Sequence, residues 1–249
     1  MSSQQNKSQG YRYFTLVTAI FVTCLITANI IAVKPVTIGP LLFPAAVVIF
    51  PISYIFGDIL TEVYGYARSR QVIWIGFGCN LLAVVAIAVG GWLPAAPFWA
   101  NNQAAYTSIL GGTPRVLAAS FIAYLFGEFL NSFVLAKMKL ATQGRWLWTR
   151  TIGSTLVGQL ADSTVFITLA FVGIWPSNQM LAAVLTQWLL KSGYETLVTP
   201  LTYAAVAFLK RAEQEDYYDY NTDFNPLKLE VGELGQVRAD VEQGDSTVT

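Results

Sequence analysis

The chain has 249 residues, of which 54% are hydrophobic and only 12% charged, with a mean hydropathy of +0.49. About twice that charged fraction is usual in a soluble domain, so a water-facing globular protein is excluded. Fifteen basic and fifteen acidic residues cancel overall, and there is no histidine, which removes the common zinc, haem and general-base readings.

Six apolar windows follow one another, each of about 20 residues or more, the length that carries a helix across a bilayer. The first, 13–33, is not a cleavable leader. Its apolar run continues to Val33, it lacks a small-residue cleavage pattern, and further windows follow. Pro35 and Pro40 mark the turn after it. The second window, 41–64, contains Pro44 and Pro51, and a kink is expected there. The third is 71–90. Segment 91–114 is rich in Trp, Pro and Asn, and Trp92, Trp99 and Tyr106 suit a membrane interface. It reads as an interfacial loop or as a lid over a cavity. The fourth, fifth and sixth windows are 115–136, 150–174 and 180–209. Beyond Arg211 the chain is acidic and has no apolar period, so it reads as disordered and dispensable for the chemistry. The expected organisation is an N-terminal segment 1–12, an all-α bundle of six transmembrane helices over 13–210, and an acidic tail over 211–249. Cys24 and Cys79 lie inside apolar windows as small fillers, with no disulfide and no metal-ligand spacing expected.

Basic residues in short loops set the orientation. Lys7 and Arg12, Arg68 and Arg70, Lys137, Lys139, Arg145 and Arg150, and Lys210 and Arg211 all fall on one side of a six-span chain. The opposite side holds Lys34 and Arg115. Both termini are therefore expected in the cytoplasm, with the protein multi-pass in the cell (inner) membrane.

The acids are unevenly placed. Residues 1–210 hold only Asp58, Glu62, Glu128, Asp162 and Glu195, all inside apolar windows, and the other ten acids follow Arg211. A carboxylate at hydrocarbon depth is costly unless it faces a cavity, an ion or a partner. At about 1.5 Å per residue, Glu128, Asp162, Lys191, Glu195 and Asn80 fall near mid-depth. Asp58 and Glu62 fall nearer the cytoplasmic end. Asp58 and Glu62 share a helical face, and Arg68 is a candidate counter-charge. Glu128 with Asn131, and Gln159 with Asp162, are spaced three apart; Lys191 and Glu195 are four apart and could pair within one helix. Ser154 and Gly158 precede Asp162 on a small-residue stripe that permits close helix approach. An ion pair that merely holds the bundle is the favoured reading for Glu62 and Glu195, a functional one for Asp162 and Lys191. Such an array, with Tyr124, Tyr194, Phe166 and Trp188 nearby in sequence, suits a flat polar heterocycle. It could instead take a cation or a proton.

GDILTEVYGY (Gly57 to Tyr66), PRVLAASFIAYLFGEFLNSFV (Pro114 to Val134), RTIGSTLVGQLADSTVF (Arg150 to Phe166) and KSGYETLVTP (Lys191 to Pro200) resemble, in order and spacing, the six-span queuosine precursor transporter family. The resemblance covers residues 13–210 and is closest at Asp58, Arg115, Ser154, Asp162 and Lys191. It implies import of 7-cyano- or 7-aminomethyl-7-deazaguanine, with no catalysis, cofactor, metal or nucleic acid. The partners are the deazapurine and the lipid bilayer, and self-association is left open. The expected substrate-binding set is Asp162, Gln159, Asn131, Glu128, Lys191, Glu195 and Asn80. Asp58, Glu62 and Arg115 are expected in gating or coupling. Two other readings stand beside this one. A substrate-capture subunit of an energy-coupling-factor transporter fits the length and the Ala28/Ala32 face. An intramembrane aspartyl protease would use Asp58 and Asp162, but neither sits in a G-x-G-D sequence. With no phosphate-cradling glycine loop, the chain is not itself an ATPase.

Overall fold

The computed structural model describes residues 11–38, 41–111, 114–220 and 222–228. Lys7, Pro40 and the tail beyond Lys228 lie outside them. Helix α1 spans Phe14–Ile31 and is followed by an antiparallel hairpin of β1, Pro35–Ile38, and β2, Leu41–Pro44, paired Pro35 to Pro44 and Ile38 to Leu41. A 3₁₀ turn at Ala45–Val48 leads into α2, Phe50–Ile59, which runs into a π turn at Leu60–Tyr64. Then come α3, Tyr66–Trp92; a 3₁₀ turn at Pro97–Asn102; α4, Gln103–Leu110; α5, Pro114–Ala141; α6, Leu147–Phe171; and α7, Ser177–Glu213.

The expectation of six membrane-crossing helices is corrected to four. By length and composition the runs able to cross are Phe14–Ile31, Tyr66–Trp92, Pro97–Ala141 and Leu147–Phe171. The two remaining windows fail for different reasons. Window 41–64 is not one helix. Its first residues pair with 35–38, and Pro51 sits in the first turn of α2, where a missing N–H leaves no helical bond unmade. The window then ends in a π turn that stops at Gly65, whose φ is +85°. Tyr217 packs where a side chain on Gly65 would lie, so position and backbone both demand glycine. Window 180–209 does lie within one long helix, α7. Lys191, Glu195 and its many hydroxyl and amide side chains leave it too polar to qualify.

Polarity is arranged inside out, as a bilayer solvent requires. On α6 the inward stripe is Arg150, Ser154, Gly158 and Asp162, with Thr151, Thr155, Gln159 and Ser163 beside it, while Leu156, Val157 and Leu160 face out. On α7, Ser192 and Glu195 are buried, and Leu189 and Leu197 face out. The most extensive pairing is α5 with α6. It is close because Gly158 lies under Asn131: a Cβ there would sit 2.8 Å from the Asn131 Cβ and 2.9 Å from the Gly127 carbonyl oxygen. Helix α7 packs on α6 and α2, and α3 packs on α1 and α5. Val17, Phe21, Leu25, Ile59, Val63 and Leu209 belong to the apolar core joining α1, α2, the π turn and α7.

The start of α1 and the end of α7 lie at the same end of the bundle. Glu213 accepts from the Tyr13 backbone N–H at 2.6 Å, and Glu215 from the Tyr11 hydroxyl at 3.2 Å.

Candidate functional site

Two polar clusters occupy the interior, and they differ in how well their charges are matched.

The first is at the end where α1 begins. Glu62, in the π turn, is fully buried. Arg150 grips it from α6 through two parallel bonds, Nε to Oε2 at 2.8 Å and Nη2 to Oε1 at 2.7 Å. Lys210 of α7 donates to Oε1 at 2.6 Å, and Lys139 of α5 lies 3.6 Å away. Arg68 is not the partner. It donates to the Tyr64 carbonyl and stacks over the Tyr11 ring. Four elements thus meet on one carboxylate. The segment after α7 completes the cluster: Asp216 accepts from Lys139 at 2.6 Å and lies 2.8 Å from Lys210. Burial pushes the Asp216 carboxyl up, but the bonds from the two lysines outweigh it and hold it below the usual range. The same segment continues across the bundle end. Asp219 accepts from the Tyr66 backbone N–H at 3.1 Å, and Arg70 donates to the carbonyls of Asp223 and Asn225 at 2.7 Å each. Lys137 lies 3.9 Å from the centre of the Phe224 ring. Burial raises the Asp219 carboxyl, only partly offset by bonds from Thr222 and Tyr66.

The second cluster lies deeper, where α2, α5, α6 and α7 converge. Lys191 donates to Asp162 Oδ2 at 2.5 Å across the α6–α7 contact, rather than pairing with Glu195 on its own helix. Asn131 donates to Asp58 Oδ1 at 2.7 Å, and Gln159 donates to Glu195 Oε2 at 3.4 Å. Glu128 lies within electrostatic reach of Asp58, Asp162 and Glu195, and its Oε2 is 3.0 Å from where a Cβ on Gly57 would stand. Both Glu128 oxygens, Asn131 Oδ1, Gln159 Oε1 and Glu195 Oε1 are buried without a hydrogen-bond partner. Buried polar atoms are nearly always paired, so five such acceptors in one region point to donors that come from a ligand or a proton.

Six of the seven residues expected to bind substrate come together here, joined by Asp58. Asn80 is buried on α3, which packs on α1 and α5. Glu62 belongs to the other cluster. Arg115 is exposed at the opposite end, where it donates to the Leu169 and Val172 carbonyls at 2.8 and 2.6 Å and closes the last turn of α6. Trp188 turns to the Leu156 carbonyl at 2.9 Å, and the Tyr124 hydroxyl donates to Ile73. Sequence reasoning missed Tyr54, whose hydroxyl lies 2.9 Å from where a Cβ on Gly127 would stand. Its spacing four before Asp58 was the available signal. Asp58 and Asp162 have separate partners, Asn131 and Lys191, so they do not form a proton-sharing dyad. Among the described residues no three acids or cysteines come close enough to hold a metal ion.

A family profile described as "Putative vitamin uptake transporter" matches residues 44–205. The chain is 30% identical over 191 residues to a "Probable queuosine precursor transporter" of Bacillus subtilis, covering 76% of this chain and 82% of that protein. It is 22% identical over 170 residues to a "Queuosine precursor transporter" of Escherichia coli, covering 67% and 72%. A "Probable queuosine precursor transporter" of Haemophilus influenzae is 24% identical over 122 residues, covering 49% of each chain. No solved structure matches.

Proposed function

The chain belongs to the vitamin uptake transporter family, and from that premise we propose that it imports 7-deazaguanine precursors of queuosine through the deeper cluster. It is a multi-pass membrane protein with four runs able to cross the bilayer, and its family's work is transport rather than catalysis. The observation that carries the substrate reading is the surplus of buried acceptors around Asp162 and Lys191. A 7-deazaguanine ring is donor-rich. Its ring N–H groups and exocyclic amine donate, and replacing N7 by carbon removes an acceptor. Asp162 reads the N–H edge, the Asn131 and Gln159 amide oxygens take further donors, and Lys191 balances Asp162 until substrate displaces it. Glu128 and Glu195 border the ring. The basic cluster forms the cytoplasmic end, since Arg68, Arg70, Lys139, Arg150 and Lys210 gather there with the start of α1 and the end of α7. That distribution of basic residues supports a cytoplasmic position for both termini of the helical body.

The test is uptake of labelled 7-cyano- and 7-aminomethyl-7-deazaguanine into liposomes holding the purified chain alone. Saturable uptake that unlabelled precursor competes away is expected. Uptake that appears only with a copurifying ATPase module would make the chain a substrate-capture subunit, and neither binding nor uptake of either compound would overturn the substrate reading.

A further inference from the structure

We propose that Asp58, Glu128 and Glu195 form a proton-binding site, and that protons taken up there from outside accompany the substrate inward. The inference rests on the transport reading above and adds the ion that drives it.

The argument is one of charge. In the bundle interior Glu128 lies within electrostatic reach of Asp58, Asp162 and Glu195, and Glu195 lies within reach of Asp58. Asp58, Glu128 and Glu195 are each at most 5% exposed. The groups that face them can be taken element by element. Helix α2 presents Tyr54 with Asp58, α5 presents Tyr124 with Glu128, α6 presents Asp162, and α7 presents Lys191 with Glu195. Helix α1 presents Phe21 beside Gly57. The π turn presents Glu62, whose charge Arg150, Lys139 and Lys210 already match. Lys191 is thus the cation among these groups not committed to Glu62, and it is 2.5 Å from Asp162. The partners of Asp58 and Glu195 are neutral: Asn131 for one, Gln159 and Thr155 for the other. Full ionisation would leave three buried negative charges in excess of the cations among the described residues of the site. A buried carboxylate in that position takes up a proton instead.

The second observation is the pattern of unpartnered atoms. Glu128 has two unpartnered oxygens although it is 1% exposed, and Asn131 Oδ1 and Gln159 Oε1 are left over on the side chains that serve Asp58 and Glu195. A proton on each of two acids would turn an acceptor into a donor and give such an oxygen its partner. Sodium is the competing occupant, and the gradient that drives net uptake separates the two. Coupling follows from position. The proton group adjoins Asp162 and Lys191, so a donor-rich ring entering between them changes which acids can stay neutral. Each ligand then alters the affinity for the other.

Two transport measurements on the wild-type protein test it first. Wild-type protein in liposomes is first assayed for exchange of labelled against unlabelled 7-aminomethyl- and 7-cyano-7-deazaguanine at equal pH on both sides. Net uptake is then driven by an acid exterior, with a lumenal pH dye recording proton entry. Exchange is expected without a gradient. With the gradient, accumulation is expected to rise about tenfold per pH unit if one proton travels with each substrate, the dye should report substrate-dependent acidification in step with uptake, and a protonophore, by collapsing the gradient, should abolish the accumulation. Exchange that proceeds while net uptake ignores pH, or follows a sodium gradient instead, overturns the proton proposal and leaves the transport reading standing. Absence of exchange overturns both. Infrared spectra provide a readout apart from transport. At neutral pH the protein should show a protonated-carboxyl C=O band that shrinks in Glu128→Gln and in Glu195→Gln, and a wild-type spectrum without that band sinks the proposal.

Discussion

Glu62 is the hub of the basic cluster, and the structure ranks the cost of removing each member. Glu62→Gln keeps the shape and deletes the charge. It strands Arg150, Lys139 and Lys210 around a neutral amide, with Asp216, 43% exposed, as their remaining acid in the cluster. Stranding buried charge in this way costs about 3–5 kcal/mol. Arg150→Met removes two charge-assisted bonds, but Glu62 keeps Lys210 at 2.6 Å and Lys139 at 3.6 Å. The expected loss is about 1.5–3 kcal/mol. Lys210 is 22% exposed and leaves Arg150 in place, so Lys210→Met should cost about 1 kcal/mol or less. Denaturant unfolding in detergent, read by tryptophan fluorescence, should order the variants Glu62→Gln, Arg150→Met, Lys210→Met from least to most stable. The double variant Glu62→Gln/Arg150→Met should be more stable than Glu62→Gln alone, because one stranded cation is gone. An Arg150→Met protein less stable than Glu62→Gln would refute the hub reasoning, since it would mean the guanidinium acts through contacts other than Glu62.

Asp162→Asn removes the negative charge that holds Lys191, and a charge-assisted bond is worth about 1.5–3 kcal/mol, so precursor uptake should fall about tenfold to a hundredfold; normal uptake in a well-expressed variant would remove Asp162 from the site. Gly158→Ala places a Cβ 2.8 Å from that of Asn131 and should destabilise by about 1–3 kcal/mol through overpacking, whereas Gly193→Ala, which meets nothing within 4 Å, should be neutral or stabilising by thermal melt. Truncation after Lys228 should leave the melting midpoint in place, and truncation after Gln214 should lower it, because Asp216, Asp219 and the carbonyls held by Arg70 are lost. Since the bound Asp216 carboxyl titrates below the free one, its hold on Lys139 and Lys210 is complete above the ordinary aspartate value of about 4 and fades as pH falls through its own lower one. A spin label at exposed Tyr220 should therefore gain mobility in acid, and in Asp216→Asn should already be mobile at neutral pH.

Much of the interior was legible because it rests on local spacing and depth. The small-residue stripe of α6 is a period-four signal, and its Gly158 does lie in the most extensive helix pairing, against Asn131 of α5. The gathering of Glu128, Asp162 and Glu195 follows from three acids at similar depth in three apolar windows. The pairing partners were not legible, because helical spacing suggests neighbours on the same helix and the bundle supplies others. Lys191 reaches Asp162, 29 residues away, instead of Glu195, and Glu62 takes Arg150 from 88 residues away instead of Arg68. The second window misled for another reason. Composition counts apolar residues, while Pro44, Pro51 and Gly65 decide whether they can form one helix. The acidic segment misled most simply. Its charges read as solvated, yet Asp216, Asp219 and the Asp223 and Asn225 carbonyls lie against a basic end whose lysines and arginines are spread over α3, α5 and α7.

The two clusters place opposite demands on the same fold. Around Glu62, three cations from three helices meet one buried acid, with Asp216 added from the following segment. Both acids have cationic partners, three cations against two carboxylates, and the elements that supply them, α5, α6, α7 and the π turn, are thereby fixed relative to one another. Around Glu128 the balance is reversed, with four acids, Lys191 at Asp162, and acceptors left without donors. A bundle built only for stability would have no reason to keep the second cluster, because replacing such groups with apolar ones of similar shape is commonly neutral or stabilising. On the proposed reading, the acid-rich cluster is where the protein exchanges partners, and the basic one is the end that holds the helices in register while it does so.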